Sequence, residues 1–318
     1  MSRSMIARSI SVMLACCDLL STACAQTCSL SVQNMTFGSV DVTSNTPASA
    51  SATVSVTCTA LLSVALRTCI NLGAGGGGAL NAVTRYMKSG SNSMTYGMFS
   101  DAAATSPVGS NFWAAGGGAP VIIDFPLFIG TVTRNATVYG RVYSGQQTVP
   151  TGSYSSHFST SDAIVQYGLL SLLSCNLLTN TDTTTFNVTA SVVPSCSVTA
   201  NNLNFGTLGV LNTAADASAT VAPVCTNGTP YTVGLNGGLS SATDPTQRKM
   251  KKGSEFILYG LYRDAARTQP FGDTVGVNTV SGTGSGLSQS VPVYGRVPPQ
   301  GTPSSGAYND TVIVTLTF

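Results

Sequence analysis

Cys28-Ser-Leu-Ser-Val-Gln-Asn-Met-Thr-Phe37-Gly38 returns as Cys196-Ser-Val-Thr-Ala-Asn-Asn-Leu-Asn-Phe205-Gly206, and this echo decides the fold. It extends outward in both copies. Tyr96-Gly-Met-Phe-Ser-Asp101-Ala-Ala103 matches Tyr259-Gly-Leu-Tyr-Arg-Asp264-Ala-Ala266, Tyr139-Gly-Arg-Val142 matches Tyr294-Gly-Arg-Val297, and Gly152-Ser-Tyr154 matches Gly306-Ala-Tyr308. The offset falls from 168 to 154 along the way, so loops differ in length while the strands keep their order. A period this long means two copies of a whole domain, not a solenoid.

Residues 1–25 read as an export signal. Arg3 and Arg8 give a basic start, Ile10 to Leu20 an apolar run, and Ala23-Cys24-Ala25 a small-residue cleavage site. The run falls short of the ~20 apolar residues that a membrane span needs. Of nine cysteines, loss of Cys16, Cys17 and Cys24 leaves six, an even number that reads as disulfides in an exported chain. Cys28 and Cys58 are 30 apart, and Cys196 and Cys225 are 29 apart at matching places. Each pair is therefore assigned within its own copy, which leaves Cys69 for Cys175. No CxxC pair occurs and His157 is the lone histidine, so no metal or other cofactor is expected.

Only 8% of residues are charged and the formal net charge is +2, too little for an electrostatic grip on nucleic acid. The basic run Arg248-Lys-Met-Lys-Lys252 reads as a solvated turn. An enzyme has little to work with: carboxylates are thinly spread, His157 lies in a polar stretch, and Gly75–Gly78 lacks the lysine of a phosphate loop. The 33 glycines and the many Thr, Val and Ser residues disfavour helix. Short alternating segments between Gly, Pro and Asn instead predict an all-β chain of two tandem immunoglobulin-like antiparallel β-sandwiches.

The copies differ at their ends. The second runs to Thr311-Val-Ile-Val-Thr-Leu-Thr-Phe318, with Val312, Val314, Leu316 and Phe318 on one face at period two. The first continues through Leu169 to Leu178 into a further alternating segment, where Phe186, Val188, Ala190 and Val192 face one way. The second sandwich is thus expected to lack its final strand and to carry an open groove, which a partner fills by β-strand addition. The expected layout is a signal at 1–25, a first domain at 26–182, a connecting strand at 183–195 that completes it, and a second domain at 196–318.

The C-x8-F-G opening, the Tyr259-Gly-Leu-Tyr-x-Asp264 and Tyr294-Gly-Arg-Val297 strands, the Gly-x-Tyr corner and the terminal alternating strand together resemble the spore coat protein U domain. That domain occurs in subunits of archaic chaperone–usher pili. The resemblance implies a periplasmic chaperone, an outer-membrane usher and an adjacent pilin as partners. It makes Phe186, Val188, Ala190 and Val192 an internal donor strand, and Val312, Val314, Leu316 and Phe318 the strand that meets chaperone or pilin. A chain that accepts a strand but has none free resembles the family's two-domain tip adhesins, secreted to the cell surface. A fibre-body pilin or a coat protein of the U type is the rival reading.

The candidate contact surface lies in three apolar stretches of the first copy. Leu169, Leu170, Leu172, Leu173, Leu177 and Leu178 precede the connecting strand, and Cys175 would draw them toward Ile70 and Leu72. Phe112, Trp113 and Val121 belong to a further loop. Together they would form an uncharged tip for an abiotic or host surface. The competing reading is that the leucines close the bottom of the first core.

Overall fold

The computed structural model describes residues 26–113, 116–169 and 174–318, which fall into two compact units of β-structure. The first holds residues up to 40, 46–144 and 153–191; the second holds 192–318 with the short segments 41–45 and 145–152.

Ten strands build the first unit: β1 (Gln26–Val32), β2 (Met35–Val40), β3 (Ala48–Leu72), β4 (Arg85–Ser89), β5 (Asn92–Phe99), β6 (Val121–Val142), β7 (Gly152–Phe158), β8 (Ala163–Leu169), β9 (Asn180–Thr183) and β10 (Phe186–Val192). Their order is β2-β10-β7-β4-β5-β6-β3-β8-β9, with β1 also on β3. The Cys28–Cys58 disulfide staples β1 to β3 at directly opposed positions, and Cys69–Cys175 ties β3 to a 3-10 turn at Cys175–Leu177. Strand β10 alternates between buried and half-buried residues, with Phe186, Val188, Ala190 and Val192 all inward. Phe186 stacks on Phe158 with ring centroids 4.4 Å apart, and the Asn187 N–H donates to Asn34 Oδ1.

The long β3–β6 ribbon folds back on itself. Laid straight, 25 residues would span roughly 80 Å at about 3.3 Å each. Yet Leu72 O accepts from Arg85 Nη2, Arg85 pairs with Tyr96, Tyr96 with Val142, and Val142 with Ala48. The two ends of β3 are therefore only a few strand widths apart. The first half of β3 carries β1 and the second half carries β8, so one ribbon serves both layers. The fold-back lies where the register slips, between Ala60 and Leu66 opposite Phe125 to Gly130, and Gly130 takes a left-handed φ of 82° there. In the Tyr-Gly-Arg-Val strand the glycine is needed for close approach: a Cβ on Gly140 would meet Met35 Sδ and the Phe37 ring.

The second unit has β11 (Cys196–Ala200), β12 (Ala215–Cys225), β13 (Pro230–Leu235), β14 (Arg248–Lys252), β15 (Glu255–Tyr262), β16 (Val280–Thr283), β17 (Val291–Val297) and β18 (Val314–Thr317). They form two sheets, β11-β12-β17-β15-β14 and β16-β13-β18, and Cys196–Cys225 staples β11 to β12. Where the first unit runs one ribbon through both layers, the second breaks it at Thr226 to Thr229 and at Gly284 to Leu287.

Two expectations need correction. The run 248–252 is strand β14, not a solvated turn, and Arg248 is fully buried, with its guanidinium on four backbone carbonyls. Lys249 lies over the Phe256 ring and Lys252 bonds Ser304 and Ser305, so these lysines pack on the edge of a sheet. The terminal strand is shorter than its pattern: β18 pairs with β13 only from Val314 to Thr317, and Phe318 projects beyond the last partner, exposed rather than in the core.

Candidate functional site

Two features set the copies apart: a groove in the second unit and an apolar bend in the first. In the first unit β2 is a strand because β10 pairs with it. The matching segment of the second unit, 203–208, has Leu-x-Phe-Gly for the Met-x-Phe-Gly of β2 but forms no strand. The counterpart of β7, residues 306–312, keeps the bridge from Lys251 to Asn309 that matches Lys88 to Ser155 but forms no strand there. Between these unpaired walls lies a groove of about 1240 Å³. Its floor is Val221, Leu235, Tyr259, Leu261 and Val293 of the core; its flanks are the half-buried Leu203, Phe205, Met250, Ile257, Val312 and Val314. The groove therefore exposes apolar side chains beside unpaired backbone, the two things that an added β-strand satisfies together.

Few polar groups interrupt it. Tyr259 donates to Asp310 Oδ2 at 2.6 Å, and burial, reinforced by the Asp310 carboxylate, pushes its phenol well above the ordinary value. Beneath it, burial draws the Arg248 guanidinium down from its usual value, and its four carbonyl bonds hold the loop ends around the floor.

The bend of the first unit presents Leu61 (66% exposed), Leu62 (50%), Leu127 (74%) and Ile129 (66%) on the strands on either side of the register slip. Leu169 (38% exposed) ends β8 opposite Leu66, at the same end. The broken ribbon of the second unit has Thr226-Asn-Gly-Thr229 and Gly284-Ser-Gly-Leu287 at the equivalent place. Sequence reasoning missed the four bend residues. Their signal was available: neighbours in a strand point to opposite faces, so Leu61-Leu62 and Leu127-Phe128-Ile129 cannot all face a core.

Of the anticipated contact residues, Ile70, Leu72, Val121 and Leu178 are buried and are corrected to core. Ile70 and Leu72 share one face of β3 with the buried Leu66, at period two, and point into the core, while Asn71 between them points the other way and its Oδ1 accepts from Asn111 N–H. Val121 pairs with Ile70. Leu178 is drawn in by the turn beside Cys175, where its carbonyl accepts from Gln166 Nε2. Trp113 is half-buried with the Arg85 guanidinium 5.4 Å from its ring centre, a covering role. Phe112, Leu169 and Leu177 are exposed; Leu170, Leu172 and Leu173 lie outside the described residues.

The Spore Coat Protein U domain profile matches residues 15–160 and 182–315. Protein U of Myxococcus xanthus is 35% identical over 154 residues, covering 43% of this chain and 86% of that protein. The fold is similar to that of a solved chaperone–tip adhesion subunit pre-assembly complex, CsuC–CsuE, from archaic chaperone–usher Csu pili of Acinetobacter baumannii. That similarity has a TM-score of 0.53 at 16% identity, over 92% of this chain and 100% of the other. With both repeats matched by one profile and a relative covered over most of its length, the chain belongs to the spore coat protein U domain family.

Proposed function

We propose that this chain is the tip adhesin of a secreted chaperone–usher pilus. The observation that carries the reading is the asymmetry between its copies: one groove holds β10, and the other stands open. On this reading Phe186, Val188, Ala190 and Val192 act as a built-in donor strand. The second unit takes a strand beside Val312, Val314 and Leu316, first from a periplasmic chaperone and then from the next pilin. An export signal at 1–25 delivers the chain to that chaperone, and an outer-membrane usher passes it to the cell surface. The second profile match begins at residue 182, ahead of β10, which supports treating that strand as a piece of the second repeat lent to the first.

Surface attachment is assigned to the bend, with Phe112, Leu169 and Leu177 as further candidates. Four exposed side chains at about 1.5–3 kcal/mol each offer roughly 6–12 kcal/mol gross on full burial. Association itself costs about 4–15 kcal/mol, so one tip holds an abiotic or host surface weakly and many pili hold it by avidity. The Leu61→Asn/Leu127→Asn double variant should cut attachment of piliated cells severalfold. Piliation should be unchanged, and unfolding should shift by under about 1 kcal/mol, as expected for exposed positions. Normal attachment by such cells would remove the bend from the adhesive surface.

A further inference from the structure

The two copies share an arginine whose partners only the second retains. In the second unit Arg296 Nε and Nη2 donate to Asp216 Oδ1 and Oδ2 at 2.8 and 2.9 Å, and Arg267 Nε lies 3.2 Å from Asp216 Oδ1. The first unit repeats the frame. Arg141 sits opposite Ser49 as Arg296 sits opposite Asp216, and each also faces a glycine of the neighbouring strand, Gly97 or Gly260. The adjoining loops match too: Asp101 bonds the backbone of Thr105 and Ser106 as Asp264 bonds that of Thr268 and Gln269. Ala104 and Arg267 occupy the same left-handed position, with φ 58° and 59°.

Two differences, Ser49 for the aspartate and Ala104 for the second arginine, thus remove a carboxylate and a long side chain from one place. Ala104 lines a pocket of about 330 Å³ beside Arg141. Arg141, Thr105, Tyr143, Phe99, Pro47 and Pro107 are among its lining. Among the described residues, the Arg141 guanidinium makes no side-chain hydrogen bond or ion pair. A half-buried guanidinium with no carboxylate, facing a cavity of ligand size with an aromatic ring and two prolines, is a site built for an acid supplied from outside.

We propose that this pocket binds a small organic carboxylate. Its carboxylate takes the place against Arg141 that Asp216 fills against Arg296, and its compact ring packs on Tyr143 and the prolines. A free ring acid and a uronic-acid residue of a glycan share this chemistry.

The test titrates the full mature chain with benzoate, glucuronate and glucose at low salt, followed by calorimetry and ligand-detected NMR. Saturable binding of either acid at millimolar concentration, with none of glucose, is expected. The tighter acid tells an apolar ring from a sugar ring. Ser49→Asp restores the internal partner and should weaken binding at least tenfold without lowering the thermal midpoint. Arg141→Gln should do the same and serves if the first variant folds poorly. No saturation by either acid below about 50 mM, or equal binding by the parent, Ser49→Asp and Arg141→Gln, overturns the proposal. The assay needs neither pili nor surfaces, so its failure leaves the tip reading standing.

Discussion

Extending the chain beyond Phe318 by a flexible linker and a second copy of residues 184–194 should raise the thermal midpoint of the second unit by roughly 15 °C or more. Four apolar side chains at about 1.5–3 kcal/mol each contribute roughly 6–12 kcal/mol, comparable with the 5–15 kcal/mol that holds a whole domain together. For a unit of this size 1 kcal/mol shifts the midpoint by about 2–8 °C, and ordering the linker offsets part of the gain. The first unit shows the geometry to be reproduced, with Phe186, Val188, Ala190 and Val192 all buried between β2 and β7. In the second unit the added strand should convert 203–208 and 306–312 into regular strands. An extension with Asp in place of the Phe and first Val should give no rise, because a buried unpaired carboxylate costs more than the remaining contacts return. Thermal unfolding of the three chains is the check. Equal midpoints would mean that the groove has no use for a strand.

Replacing either buried arginine by methionine should destabilise its unit by about 3–5 kcal/mol, the range seen when a buried charge network loses one partner. Arg85 donates from Nε to Gly73 O, from Nη1 to Ala82 O, and from Nη2 to Leu72 O and Val108 O, all at 2.6–2.9 Å. Arg248 repeats the pattern on Asn236, Pro245, Leu235 and Phe271. Burial pulls Arg85 down to about 10, far enough above neutral that it stays charged. Methionine fills the volume but takes the guanidinium donor from four carbonyls, each worth about 1–3 kcal/mol where neither water nor another N–H replaces it. Lysine keeps the charge but lacks the planar fork, so Arg85→Lys should recover only a minor part of the loss. Denaturant unfolding separates these outcomes. A methionine variant within about 1 kcal/mol of the parent would show that water replaces the guanidinium at little cost.

What the sequence revealed and what it hid follow from the range of each signal. The two-copy architecture was readable because Cys-x8-Phe-Gly and Tyr-Gly-Arg-Val recur, and β10 because Phe186 to Val192 alternates strictly. The arginine pins were missed although Arg85-x-Met-Lys and Arg248-x-Met-Lys are themselves a repeat. Net charge and local composition treat a basic residue as solvated, and only the four carbonyls brought together from three segments of chain reverse that. Ile70 and Leu72 were misplaced because the link from Cys69 to Cys175 was taken to draw them to a surface, whereas they alternate with Asn71 and share the buried face of Leu66. The bend went unseen because consecutive apolar residues pass for a buried strand. It is the fold-back of the ribbon that turns Leu61, Leu62, Leu127 and Ile129 outward.

Amide hydrogen exchange on the mature chain, alone and with a peptide of residues 184–194, tests the asymmetry most directly. Without peptide, the amides of 186–192 should exchange as slowly as the core of the first unit, while those of 203–208 and 306–312 exchange orders of magnitude faster and slow down once the peptide is added. Equal protection of 203–208, 306–312 and 186–192 in the chain alone would mean that the second unit is already complete, and would contradict the account.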